Sequence, residues 1–261
     1  MSDVVCTSGP SDRPFEERHA RVSVAMVVSG SFSYRAPGGR AVMSAGSIML
    51  GNAGECYECG HEHASGDRCV AFHYTPEFFE RIAVDAEVPR AARRFARIRI
   101  PPVQGSAGLV APVMAGLVDP DRISWEQAAV EVAAATLRLA AGLPMLRSTA
   151  PAGAAARVTE SVRRIEAEPD KRWSLTQLAA DAGQSPFHFL RSFTQVTGVT
   201  PHQFVRRARL REAAARLAGE QKKVIEIALD AGFTDLSAFN RAFRSEFGTA
   251  PERYRAHVGR R

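Results

Sequence analysis

Apolar residues change their spacing part-way along this chain, and the change divides it into strands and helices. Val22, Val24, Met26 and Val28 alternate with other residues, and Phe32 and Tyr34 continue at the same period of two, the spacing of a strand that buries one face. Gly38-Gly39 then supplies a hairpin turn, and short strands are predicted around 41–43, 48–50, 56–58 and 69–74. After Pro76 the period becomes helical, over 77–84, about 90–97, 109–118 and 124–141. Strands followed by helices predict an α+β arrangement, a small β-barrel with a helical appendage. Leu109, Val113 and Leu117, then Val130 and Leu137, give the last two helices apolar faces. A dimer contact and packing against the barrel would both use them.

The run PMLRSTAPAG at 144–153 interrupts this pattern and reads as a linker. The predicted organisation is therefore 1–143, a linker at 144–156, and a second domain at 157–261. In that second domain one pattern occurs twice. Leu178-Ala179, Ala182-Gly183, Phe189, Phe193, Gly198, Pro201 and Phe204 are matched by Ile227-Ala228, Ala231-Gly232, Phe239, Phe243, Gly248, Pro251 and Tyr254.

Each copy reads as a helix-turn-helix. Ser174, with Gln177 three residues on, has the form of a capping box, and Trp173 is placed to staple onto Leu178. A short helix to about Ala182 ends at Gly183, since only glycine enters the left-handed conformation cheaply. Ser185-Pro186 then offers an N-cap and a first-turn proline. On the second helix Phe189, Phe193 and Val196 form a buried stripe, which leaves Phe187, Leu190, Arg191 and Gln195 on or near the opposite face. In the second copy Asp235 is the N-cap, Leu236, Phe239, Phe243 and Phe247 form the stripe, and Ser237, Asn240, Arg241 and Arg244 lie outside. Between the copies, 202–218 has no interior Gly or Pro and carries Arg206, Arg207, Arg209, Arg211 and Arg216. A helix of that length spans roughly 26 Å, enough to hold two units about one DNA turn, ~34 Å, apart.

From Trp173 to Arg255 the chain resembles the DNA-binding domain of the AraC/XylS family of bacterial transcription regulators. The closing segment carries the resemblance most closely: Gly232-Phe233, Phe239, Arg241, Phe243-Arg244, Phe247-Gly248, Pro251 and Tyr254-Arg255. It implies an all-α domain of two helix-turn-helix units joined by a long helix. It also implies a preceding cupin-like β-barrel with a helical appendage, which binds effector and dimerises, although order and position alone carry that part. The DNA-facing candidates are Phe187, His188, Leu190 and Arg191 in the first copy, Ser237, Asn240, Arg241 and Arg244 in the second, and Arg206 between them. By the resemblance Arg191 and Arg241 face the groove, where arginine pairs with guanine O6 and N7; phosphate contact or pairing with an acid such as Glu246 stays open. Phe187 and Leu190 would pack on thymine methyls.

Charge agrees with a nucleic-acid partner. Residues 1–150 hold 15 basic against 16 acidic side chains and 151–261 hold 19 against 12, so the excess lies where phosphates would be met. The first twenty residues lack the apolar core of a signal peptide, and Glu126, Glu131 and Arg138 interrupt the most apolar helix. The expectation is a cytoplasmic homodimer, with promoter DNA, RNA polymerase and a small-molecule effector as partners and no membrane.

One further cluster carries chemistry. Cys56, Cys59, His61, His63, Cys69 and His73 fall within eighteen residues, and thiolate and imidazole are the donors for Zn²⁺ or another soft metal. A metal site, a thiol sensor of oxidants, and buried core cysteines all stand as readings. No cofactor is otherwise implied. An enzymatic cupin, a repair protein with a sacrificial thiolate and an architectural DNA-binding protein are the weaker alternatives; the four-cysteine zinc arrangement of such repair regulators is not matched. The reading adopted is a regulator, not an enzyme.

Overall fold

The computed structural model describes residues 1–61, 66–102, 104–120, 123–144 and 154–258. Two compact units divide the chain, Met1–Arg147 and Ser148–Arg261. Residues 145–153 of the expected linker, and His63, lie outside the described residues.

One long strand organises the first unit. β3 (Val22–Ala36) runs for 15 residues, and its first half is flanked by β7 (Asp67–Tyr74) and β5 (Ile48–Gly51). Its second half is flanked by β4 (Gly39–Ser44) and β6 (Cys56–Gly60). A register shift between Val27 and Ser29 separates the halves, as expected where a strand passes from one sheet to another. β1 (Ser2–Cys6) extends beyond β7, β8 (Arg99–Ile100) beyond β5, and β2 (Phe15–Arg18) beyond β6, every pairing antiparallel.

This arrangement corrects the barrel expectation. A barrel requires the last strand to pair with the first, whereas here β1, β8, β2 and β4 each pair along one side only. The sheet stays open and is not a cupin barrel. Alternation along β3 showed that it was a strand, but pairing partners are not written in alternation. The hairpin after β3 turns at Pro37-Gly38, since Ala36 pairs with Gly39.

Six consecutive residues of β3, Val22 to Val27, are buried, because helices cover this part of the sheet. α1 (Pro76–Asp85) is capped by Thr75, and α2 (Gln104–Val118) precedes α3 (Trp125–Ala140). Tyr74 donates to the Ala129 carbonyl at 2.9 Å, and Phe72 meets the Trp125 ring. Val113, Val130 and Leu137 are buried within the chain, so these named apolar positions pack inward. The helix expected over 90–97 is a single 3-10 turn, Arg90–Ala92. The Asn52 side chain, at 3.0 Å to both Phe95 N and Phe95 O, satisfies backbone groups that a helix would otherwise pair.

The second unit is helical throughout: α4 (Ala154–Ala167), α5 (Leu175–Asp181), α6 (Pro186–Thr197), α7 (Pro201–Gly219), α8 (Val224–Asp230), α9 (Leu236–Phe247) and α10 (Pro251–Val258). α4 starts inside the stretch read as linker. The paired turns repeat bond for bond. Gln184 N donates to Ala179 O and Gly183 N to Ala180 O, as Phe233 N does to Ala228 O and Gly232 N to Leu229 O. Gly183 and Gly232 have φ of 63° and 83°, the left-handed helix end. Ser185 and Asp235 accept from His188 N and Ala238 N to cap α6 and α9, and Gly198 and Gly248 end both helices in the left-handed region. The Trp173 Nε1 donates to Glu168 O, and Lys171 and Arg164 lie over its ring.

Candidate nucleic-acid interface and metal centre

The two recognition helices are alike inside. Phe189 and Phe193 in α6, and Phe239 and Phe243 in α9, are fully buried. Val196 departs from the predicted stripe, at 40% exposure, because it falls in the last turn of α6 beyond the packed phenylalanines.

Outside, the helices differ. Of the first copy's candidates, Phe187 and Leu190 are buried at 7% and 3% exposure. The expectation that they sit on an outward face is therefore corrected, and neither is presented to pack on thymine methyls. His188 and Arg191 are half-buried, and the Arg191 guanidinium lies 5.4 Å from the centre of the Phe187 ring. In the second copy Ser237, Arg241 and Arg244 are all exposed. Asn240 is half-buried, with its Oδ1 enclosed and lacking a partner among the described residues.

The arginine run on α7 is mostly structural. Arg209 donates to the carbonyls of Pro169, Asp170, Lys171 and Gly232, tying the loop before α5 to the second turn. A Cβ at Gly232 would lie 3.0 Å from the Arg209 Cζ, so that glycine serves both the turn and the tie. Arg216 pairs with Glu220 and Asp230, Arg207 with Glu246, and Arg211 with Glu166. Arg206 is half-buried, and its Nε is enclosed without a partner among the described residues.

A sequence-family model described as a helix-turn-helix domain matches residues 178–257. The HTH-type transcriptional regulator MtrA of Neisseria gonorrhoeae is 29% identical over 105 residues, 40% of this chain and 35% of MtrA. The transposon Tn10 TetD protein of Escherichia coli is 37% identical over 91 residues, 35% of this chain and 66% of TetD. By its C-terminal unit the chain belongs to the AraC/XylS family. A solved transcriptional regulator from Chromobacterium violaceum, described as having an AraC-type DNA-binding domain, is 29% identical over 41% of this chain and 96% of its own, with a TM-score of 0.39. The chain spans about a third of the length of the first curated relatives, so the likeness concerns the AraC/XylS DNA-binding unit. MtrA and the Chromobacterium violaceum protein are both described as transcriptional regulators.

In the first unit of this AraC/XylS protein a second group of candidate side chains comes together. Register places Cys6 of β1 opposite Asp67 of β7. Donor atoms of Cys6, His61 and Asp67 all lie within 4.8 Å of one another, a group able to hold a metal ion. His61 Nε2 is 2.8 Å from Asp67 Oδ1, and the Cys69 thiol donates to Asp67 Oδ2 at 3.2 Å. Burial, reinforced by Asp67 and Glu17, pushes the Cys59 thiol up to about 12. Burial and the bond to Asp67 raise Cys69 further. Both are therefore protonated and poorly nucleophilic at neutral pH.

Of the six sequence candidates, Cys59, His61 and Cys69 share this neighbourhood. Cys56 is at the far end of β6, opposite Arg18, and His73 is exposed toward the end of β7. Cys6 and Asp67 were missed. Cys6 stands fifty residues before the cluster in sequence, and only the β1–β7 pairing brings it near.

Proposed function

We propose that this chain is a sequence-specific, double-stranded-DNA-binding transcription regulator whose signal enters through the thiol, imidazole and carboxylate group of its first unit. The observation carrying the DNA half is the exposed polar face of α9. Ser237, Arg241 and Arg244 project from a helix capped by Asp235 and backed by two fully buried phenylalanines, so they are presented on a rigid support. Arginine in such a position makes bidentate contact to guanine in the major groove. His188 and Arg191 on α6 provide a second, weaker contact, and Arg206 a phosphate contact.

The sensing half is supported by the meeting of Cys6, His61 and Asp67. Such donors take up a soft metal ion such as Zn²⁺, and the half-buried Cys6 thiol is the atom an oxidant would reach. Binding at the β1 edge would alter the first unit and through it operator affinity, with RNA polymerase and a second copy of the chain as further partners. The test is operator binding by the full chain, on fragments selected from genomic DNA, with competition against random DNA. Selective binding that changes on addition of Zn²⁺ or peroxide is expected. Equal affinity for random DNA would end the first half of the reading, and indifference to both additions would end the second.

A further inference from the structure

Within that reading, on which this inference rests, we propose that Cys6, His61 and Asp67 form a three-donor site for a zinc-class divalent transition metal, with the fourth coordination position left to solvent or a further ligand. Three features carry it. The donors are of three kinds, thiol, imidazole and carboxylate, a mixture suited to Zn²⁺ and Co²⁺ and not to calcium or magnesium, which require all-oxygen sites.

The second feature is a buried histidine already held against the carboxylate. His61 is 4% exposed, and its Nε2 faces Asp67 Oδ1 at 2.8 Å, so a metal ion takes the place of that hydrogen bond and meets both donors from the same side of the ring.

The third feature is the backbone that holds the carboxylate. Gly30, at φ 78°, lies against the 66–67 peptide so closely that a Cβ there would meet Gly66 O at 2.3 Å and Asp67 Cα at 2.7 Å. Gly66 N in turn bonds Ser8 O at 2.9 Å. The bulge of β3, the start of β7 and the chain beyond β1 therefore meet at one point, and Cys6 and Asp67 are register partners there. Tetrahedral zinc, with bonds of about 2.0–2.3 Å, sets its donors roughly 3.3–3.8 Å apart. His61 and Asp67, 2.8 Å apart, must part by roughly 0.5–1 Å to admit the ion, and Cys6, within 4.8 Å of both, adjusts through β1, an edge strand. Loading exchanges the Cys6 thiol proton for the metal and releases it to solvent. The metal thereby crosslinks β1 to the β6–β7 corner.

Titration of the full, reduced chain with Co²⁺ tests this, followed by displacement with Zn²⁺. One equivalent is expected to bind and to show a thiolate-to-cobalt charge-transfer band, which requires a cysteine ligand. Cys6→Ser should abolish the band and weaken binding at least about tenfold, Asp67→Asn should weaken binding while keeping the band, and Cys56→Ser should change neither. Circular dichroism of each variant establishes that it is folded. Absence of a stoichiometric site in the wild type, or a band that survives in folded Cys6→Ser, would overturn the proposal. Operator affinity measured in the same samples separates the two readings. Stoichiometric metal with unchanged affinity leaves the site standing and ends its role as the signal input. No metal, but affinity that responds to peroxide, overturns the site and leaves the sensing unit.

Discussion

The two helix-turn-helix copies share their interior and differ on their surface. Both end the first helix at a left-handed glycine, cap the second with Ser or Asp, and bury two phenylalanines four residues apart. Beyond that frame, α6 turns Phe187 and Leu190 inward and lays Arg191 over a phenylalanine ring, while α9 leaves Ser237, Arg241 and Arg244 exposed. Repetition therefore conserves the scaffold that aims a helix and not the side chains it aims. On the function proposed above, base readout would belong mainly to the second copy.

The largest effects should ignore the difference between copies. Phe193→Ala and Phe243→Ala each remove a fully buried ring and should each cost about 3–5 kcal/mol, read by denaturant unfolding. A large inequality between them would break the claim of a shared scaffold. Next come the arginines, which should separate the copies. Arg241→Ala is expected to cost about 1–3 kcal/mol of operator affinity and to relax preference at one base pair. Arg191→Ala should cost less and relax little, by the same binding assay.

A smaller effect concerns α7, which joins the copies. Burial, and then the nearby Arg206 and Arg209 charges, push the His202 imidazole down to about 4. The unfolded chain takes up this proton near pH 6.5 and the folded chain only near pH 4. Stability is thus present above about pH 6.5 and is lost as pH falls toward 4. Between pH 7 and 5 the wild type should lose about 1–2 kcal/mol more than His202→Gln, measured by unfolding at each pH; parallel losses would remove the buried-histidine account. The smallest effect is Val196→Ala, at an exposed position, which should stay within about 0.5 kcal/mol. A larger loss in the same unfolding assay would restore Val196 to the core.

The DNA-binding unit was legible in the sequence because its determinants are local. Ser185-Pro186, Asp235, Gly183 and Gly232 act on their immediate neighbours, so spacing alone places the turns. Where determinants were distant, the reading failed. The open sheet follows from which edges pair, and β1, β2 and β8 are short strands with no clear alternation. Cys6 gained its neighbours only by pairing with β7, and Arg209 only through carbonyls at 169–171 and 232. The same limit explains Phe187 and Leu190: helical periodicity separates two faces, but neighbouring helices decide how wide the buried one is.

Binding of the full chain to a library carrying every single-base change across its operator tests the central claim most directly. The account predicts a deep, narrow profile, about 1–3 kcal/mol per critical change, in the half lost on Arg241→Ala, and a shallow one in the half affected by Arg191→Ala. Equal depth in both halves, or the deeper profile in the Arg191 half, would contradict it.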